Sequence, residues 1–161
     1  MGQLPIYFFS EDILYTLKEK NKVRNWIKQT ILSEGKKLKE LNFIFCSDNY
    51  LLEINQQFLK HNTFTDIVTF DNSGSQHVII GDVFISIDRI KENAEKYKVN
   101  ERDELHRVII HGTLHLLGYK DKTKAHKSIM TSKEDQYLLL RDFRSIPSAP
   151  QSEAFANSHK P

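Results

Sequence analysis

The segment VIIHGTLHLLGYKD, residues 108–121, carries the strongest structural signal in the chain. Its periodicity predicts a helix over 102–117, and apolar residues fall on almost every side of that helix, which predicts that it is buried. His111 and His115 are four residues apart, so they lie on one helix face with Cβ atoms about 5–6 Å apart. Two imidazoles at this spacing can bind one metal ion.

A third metal ligand is available shortly after this helix. Gly118 is typical of a helix end, and the chain can then fold back so that Asp121 reaches the two histidines. Two histidines and one carboxylate leave a coordination position open for water, which is typical of a catalytic zinc site. The alternative interpretation is a pair of core histidines hydrogen-bonded to backbone carbonyls, because a buried imidazole needs partners for its ring nitrogens.

The residue after His111 distinguishes this motif from that of the zinc peptidases. Those enzymes carry the pattern HEXXH, in which the glutamate acts as general base. This chain has Gly112 at that position, which argues against a peptidase. We also interpret the missing side chain as room beside the metal for a large substrate.

The rest of the chain predicts an α/β fold of the α+β type. The predicted strands are 4–9, 41–46, 67–71 and 77–87, and the predicted helices are 12–34, 47–60, 88–98, 102–117 and 123–144. We expect one domain over 1–146, with a small mixed sheet of about four strands, helices packed on it and the metal site on a buried helix. The segment 147–161 is polar and contains proline, which predicts a disordered tail.

The composition is that of an ordinary globular protein. Of the 161 residues, 39% are hydrophobic and 27% are charged. Cys46 is the only cysteine, so a reducing compartment fits. The sequence shows no signal-peptide pattern and no run of roughly 18 apolar residues. We therefore expect a cytoplasmic protein with no membrane partner.

The charge alone does not identify a partner. A net charge of +2 is too small to indicate nucleic-acid binding. Lysines cluster within 18–28, 36–39 and 120–127, together with or next to acidic residues. These clusters fit either solvated helix faces and loops or a surface that follows a phosphate backbone.

The segment HGTLHLLGYKD, 111–121, resembles the signature of the YbeY family, H-G-x-L-H-L-x-G-Y-D-H. The matching positions are His111, Gly112, Leu114, His115, Leu116, Gly118 and Tyr119. Two further segments, 54–70 and 80–86, resemble the family's L-N-x-x-[FY]-R…T-D-V-L-S-F and L-G-D-I-x-I-S patterns in order and spacing. Together the similarity covers roughly residues 40–140.

This resemblance implies an activity and its partners. The family is known for a metal-dependent endoribonuclease that cleaves single-stranded RNA in ribosomal-RNA maturation and ribosome quality control. The implied partners are ribosomal RNA and the ribosome or its proteins. The family holds one Zn²⁺ ion with three histidines, and the first two match His111 and His115.

The chain departs from the family pattern at two important positions. Asp121 stands where the third histidine is expected in an ungapped alignment, so the third ligand is Asp121, the later His126, or neither. A carboxylate ligand lowers the charge of the site by one and favours iron or manganese more than three histidines do. Leu59 stands where the family has an arginine suited to holding phosphate.

Other candidates and other functions remain open at this point. Asp66 and Asp82 lie in the matching segments and are secondary catalytic candidates, equally well explained by capping or strand-end roles. One rival is a metal-dependent hydrolase of another bond. A second rival is a ribosome-assembly factor that binds rRNA with little catalysis, which Leu59 and Asp121 both favour.

Overall fold

The computed structural model describes residues 4–60 and 64–143. Within these residues the elements follow the predicted order β-α-β-α-β-β-α-α-α. The strands are β1 (Ile6–Ser10), β2 (Lys37–Cys46), β3 (Ile67–Asp71) and β4 (Val78–Ser86), and the helices are α1 (Lys20–Ser33), α2 (Asp48–Leu59), α3 (Ile87–Tyr97), α4 (Glu101–Leu116) and α5 (Lys124–Leu139). The predicted tail over 147–161 lies outside the described residues.

The strands form one mixed sheet in the order β1-β2-β4-β3, which confirms the predicted fold class. β2 pairs in parallel with β1 and β4, whereas β3 and β4 are antiparallel. The antiparallel pair follows from the short connection over 72–77, which begins with the turn-forming residues Asn72, Ser73 and Gly74. The parallel pairs need longer crossovers, and these run through the helices.

Side chains alternate between the two faces of the sheet. On one face Phe43, Phe45 and Ile85 belong to the main core, together with residues of α1, α3, α4 and α5. On the opposite face Cys46 and Val68 pack with Leu51 of α2 in a smaller cluster. The helix that carries the two histidines, α4, therefore lies on the larger of the two apolar faces.

α4 is buried along most of its length, as predicted. Every residue from Glu104 to Leu114 is buried, because the sheet lies on one side and α3 and α5 lie on others. In the described part of the chain, no helix combines the length and the apolar composition needed to cross a membrane.

Gly112 marks a point where α4 comes very close to the sheet. A Cβ atom at this position would lie 2.7 Å from Cδ1 of Ile67 and 2.9 Å from Cγ1 of Val83. Both distances are shorter than van der Waals contact between carbon atoms. The absent side chain thus lets α4 pack tightly on β3 and β4. This corrects the expectation that Gly112 leaves room for substrate, because the sheet fills that space.

Three predicted element boundaries are wrong, and one of them is the end of α5, which lies at Leu139 rather than at residue 144. α1 begins at Lys20 rather than near residue 12. The segment before it is not helical: Leu17 is buried in the core, and the Asp12 carboxylate accepts hydrogen bonds from the backbone N–H and hydroxyl of Ser47. β2 begins at Lys37, four residues before the predicted strand.

Candidate metal centre

The end of α4 brings the third predicted ligand back to the helix. Gly118 has φ +109, a backbone conformation that residues with a side chain rarely adopt. Its N–H donates to the carbonyl of His115, and the N–H of Tyr119 donates to the carbonyl of Leu114, both over 3.0 Å. This is the Schellman arrangement of a helix end. It reverses the chain so that Asp121 reaches the last turn of α4.

Three donor atoms converge at this point. Oδ2 of Asp121 lies 3.2 Å from Nε2 of His111 and 3.3 Å from Nε2 of His115. Ligands of a tetrahedral ion with bonds of about 2.1 Å are about 3.4 Å apart. The three donor atoms lie within 4.8 Å of one another, so the arrangement fits one small metal ion with little movement.

The other nitrogen of each imidazole ring is fixed by an acceptor. Nδ1 of His111 lies 2.5 Å from Oε2 of Glu134, and Nδ1 of His115 lies 3.0 Å from the carbonyl oxygen of Tyr119. A carboxylate and a carbonyl can only accept, so each Nδ1 carries the proton and donates. Each Nε2 is thereby directed at Asp121, in the orientation of a metal ligand.

A buried ion pair lies behind His111. Oε1 of Glu134 accepts from Nη1 of Arg107 over 2.7 Å, and both side chains are almost completely buried. Nη2 of Arg107 lies 2.5 Å from Oδ1 of Asp135, which is partly exposed. Glu134 thus uses one oxygen for arginine and the other for the imidazole. A buried carboxylate with both oxygens hydrogen-bonded holds the ring in one orientation.

The electrostatics of the cluster keep the ligands in the states that bind metal. Burial lowers the pKa of His115, and the nearby His111 lowers it further, against a raising effect of Asp121. The pKa of Asp121 is held well below its usual range, first by its hydrogen bond with His111 and then by the charge of His115. The lowered pKa of Asp121 favours its ionised form, and the lowered pKa of His115 favours its neutral form.

A second polar cluster holds the loop that carries Asp121. The hydroxyl of Tyr119 donates to Oε1 of Glu34 over 2.6 Å. Lys133 Nζ lies 3.1 Å from Oε2 of Glu34, and the Tyr137 hydroxyl donates to the same oxygen. Burial raises the pKa of Glu34, but these hydrogen bonds outweigh burial and lower it. The ionised carboxylate ties the loop to the end of α1 and to α5.

The donor cluster faces a cleft of about 540 Å³. Leu59 and Asp66 line the cleft, as the sequence suggested for both positions. Its walls come from the end of α2, the segment before β3, β3 itself and one side of α3. The residues of these walls are Leu59, Phe64, Thr65, Asp66, Ile67, Val68, Thr69, Arg89, Asn93, Lys96 and Tyr97, and Lys127 of α5 also lines the cleft.

The structure does not bring Asp82 or His126 to the donor cluster. Asp82 accepts hydrogen bonds from the side chains of Asn42 and Asn72 over 3.0 Å and 3.2 Å. The alternation along β4 places it on the face opposite α4. His126 lies in the first turn of α5, where its N–H donates to the Thr123 hydroxyl. Among the described residues, the grouping of possible ligands contains Asp121 and not His126.

Sequence reasoning missed Glu134 and Arg107. Glu134 lies 23 residues after His111 on another helix, so no local spacing connects the two. One signal was present: Glu134 occupies the buried face of α5 with Met130, Tyr137 and Leu138. A carboxylate within an apolar stripe needs a buried partner. The position of Glu134 therefore predicts a polar contact inside the core.

The chain is similar to known proteins along most of its length. The profile of the family "Endoribonuclease YbeY" matches residues 9–140. A curated relative of that name from Cytophaga hutchinsonii is 50% identical over 143 residues, which is 89% of this chain and 100% of the relative. Another from Flavobacterium psychrophilum is 51% identical over 132 residues, 82% of this chain and 94% of the relative.

A solved structure shares the fold. The solution structure of a protein from Thermotoga maritima superposes with a TM-score of 0.58 at 25% sequence identity, covering 83% of this chain and 86% of that chain. The family profile spans most of the chain, including the histidine motif and both flanking segments. With half of the residues identical over nearly the full length of two curated relatives, this chain belongs to the YbeY family.

Proposed function

We propose that this chain is a metal-dependent endoribonuclease that cleaves single-stranded RNA. The observation that carries the proposal is the convergence of His111, His115 and Asp121 on the wall of an open cleft, in a chain whose curated relatives are named endoribonucleases. A zinc peptidase of the HEXXH type is argued against, because Gly112 occupies the position of the glutamate that acts as general base in those enzymes.

The residues present fit a divalent transition metal ion. His111 and His115 would supply two nitrogens and Asp121 one oxygen, and we propose Zn²⁺ as the native ion, with iron or manganese also suited to this ligand set. When bound, such an ion polarises a phosphoryl oxygen and activates water or a ribose hydroxyl. Glu134 and the Tyr119 carbonyl fix the orientation of the two rings.

The shape and charge of the cleft support a single-stranded substrate. An unpaired strand can bend a phosphodiester towards the donor cluster, whereas a stiff duplex cannot. Leu59 lies on the cleft wall, where the family has an arginine. Phosphate contacts then fall to lysines such as Lys96 and Lys127, which are flexible point charges. We therefore expect weak, salt-sensitive RNA binding and slow cleavage.

We also propose the biological setting that the family resemblance implies. The substrate is ribosomal RNA, the process is its maturation and the quality control of ribosomes, and the partners are the ribosome or its proteins. The compartment is the cytoplasm. A role as an rRNA-binding assembly factor without catalysis is the alternative, and the absence of the arginine at Leu59 is the observation that favours it.

A cleavage assay distinguishes the enzyme from the assembly factor. Purified protein is incubated with end-labelled single-stranded RNA, with the same sequence as a duplex, and with or without a chelator. We expect cleavage of the single strand only, and its loss with chelator. His115→Ala, purified identically, controls for contaminating nuclease and should be inactive. Equal activity of wild type and His115→Ala contradicts the enzyme and leaves the assembly factor.

The proposed third ligand has its own test. Asp121→Ala removes the oxygen donor and should weaken metal binding about 10-fold or more, because even groups behind the ligands contribute 10–100-fold. Asp121→His restores the family's three histidines and should keep or strengthen binding. His126→Ala is the matched control. Unchanged metal affinity in Asp121→Ala, measured by competition with a chromogenic chelator, would assign the third position to another group.

A further inference from the structure

Two aromatic rings lie on the wall of the metal cleft. Phe64 precedes β3 and is 52% exposed, and Tyr97 ends α3 and is half-buried. Both line the same cleft as His111, His115 and Asp121. A single exposed ring needs no explanation. Two rings beside the three possible metal ligands do need an explanation.

Each ring has a cation against it. The guanidinium carbon of Arg89 lies 5.6 Å from the centre of the Phe64 ring, and Nζ of Lys96 lies 5.3 Å from the centre of the Tyr97 ring. These distances are those of cation–π contacts. Two rings and the two cations packed against them therefore lie together in the lining of the cleft.

The two cations differ in how they are held. Nη2 of Arg89 is paired with Asp48 over 2.9 Å and Nη1 with Glu92 over 3.0 Å. Arg89 is thus a fixed support for the ring of Phe64. Lys96 is exposed, and the half-buried Lys127 of α5 adds a second ammonium to the lining of the cleft. Their long side chains can reach phosphates of different spacing.

We propose that Phe64 and Tyr97 stack unpaired bases while Lys96 and Lys127 contact the neighbouring phosphates, so that this wall selects single-stranded RNA. The inference rests on the proposed function and identifies its substrate-binding surface. Single strands offer an open base face to an aromatic ring, and duplexes keep both faces of each base stacked. The charges of the lysines suit phosphate and give no preference among bases.

The stacking is tested by RNA binding in the presence of chelator, so that cleavage does not interfere. Fluorescence anisotropy compares wild type, Phe64→Ala, Phe64→Trp and Phe9→Ala on a labelled single-stranded oligonucleotide. Phe9 is 50% exposed but lies on β1, at the opposite edge of the sheet from β3. It is therefore a matched control for the loss of an exposed ring.

The expected result separates the four proteins. Loss of one stacked base costs about fivefold or more in affinity, so Phe64→Ala should bind at least that much more weakly, and Phe64→Trp should restore binding. Phe9→Ala should bind as tightly as wild type, because Phe9 does not line the cleft. Thermal unfolding of each variant verifies that it is folded.

The phosphate contacts are tested by the salt dependence of binding. Lys96→Gln should reduce the slope of log affinity against log salt by about 0.7, the value for one phosphate contact of a single strand. Lys91→Gln removes the same charge from an exposed position of α3 that does not line the cleft. It should leave the slope unchanged.

The outcomes distinguish this inference from the proposed function. If wild type cleaves single-stranded RNA but Phe64→Ala binds as tightly as Phe9→Ala, the stacking surface is wrong and the nuclease stands. If wild type binds a duplex as tightly as a single strand, the selection is also wrong. If binding depends on Phe64 and no metal supports cleavage, the stacking surface stands and the nuclease fails.

Discussion

His106 and His111 lie on the same helix, α4, and are 2% and 5% exposed. By burial alone they are the same kind of residue. They differ in the partner at Nδ1. Nη1 of Arg141 lies 2.6 Å from Nδ1 of His106 and must donate to it, whereas Nδ1 of His111 donates to the carboxylate of Glu134.

The sign of the partner's charge gives the two histidines different roles. Burial lowers the pKa of His106 to about 3, and the charges of Arg141 and Arg102 add to that lowering. His106 stays neutral and packs between Trp26 and Phe143 as a core residue. The carboxylate beside His111 accepts the Nδ1 proton instead and turns Nε2 towards the cleft. The charge of the partner at Nδ1 and the direction of Nε2, rather than burial, therefore distinguish a metal-binding histidine from a core histidine.

The largest expected difference is in metal content. His111→Ala should remove nearly all bound metal, because it removes a ligand. His106→Asn should retain about one equivalent, since its amide oxygen can still accept from Arg141. Elemental analysis of both proteins, purified without added metal, measures the difference. Equal metal content in the two variants contradicts the distinction between these histidines.

The carboxylate behind His111 should have a smaller effect. Glu134→Gln can still accept from His111, but its amide group then faces the donor of Arg107, and the negative charge is lost. We expect metal affinity to fall about 10- to 100-fold. Asp135→Asn changes the other, partly exposed partner of Arg107 and is the control. Chelator competition measures both, and a similar loss in the two variants would mean that the ion pair acts on overall stability instead.

A third difference between the two histidines is the effect of His106 on how stability depends on pH. The pKa of His106 is about 3 in the folded protein, against an ordinary value of 6.5. Between these values the unfolded chain binds the proton that the folded protein excludes, so stability falls as pH falls. The slope from this group is at most about 1.4 kcal/mol per pH unit.

Urea unfolding of the metal-free protein at several pH values measures this slope. Wild type should lose stability more steeply than His106→Asn below about pH 6.5, and the two slopes should agree above it. Parallel curves over the whole range would show that His106 has the same pKa in the folded and unfolded protein.

The parts of the site that depend on local spacing could be predicted from the sequence. Helical periodicity places His111 and His115 on one face, and the glycine at 118 indicates the turn that returns Asp121. Glu134 and Phe64 lie on elements far along the chain from the motif, and only tertiary packing brings them to it. Their positions depend on how α5 and the segment before β3 lie against α4.

For the fold, too, the features that depend on local sequence were predictable and those that depend on tertiary packing were not. The order of elements follows from periodicity, which is a local property. The start of α1 was wrong because Leu17 and the other apolar residues of the preceding segment pack on the core without a helix. The first half of β2 was missed because Lys37, Lys39 and Glu40 are exposed, so no apolar alternation marks it as a strand.

The close approach at Gly112 has a consequence for how this scaffold could change its chemistry. One substitution, Gly112→Glu, would convert the motif to the HEXXH of the zinc peptidases. The Cβ direction at this position leads into Ile67 and Val83 of the sheet, so the new carboxylate would be an unpaired charge in the core and not a base in the cleft. A change of reaction from RNA to peptide therefore requires α4 to move away from the sheet. A single substitution at Gly112 is therefore not sufficient to convert a site for RNA into a site for peptides.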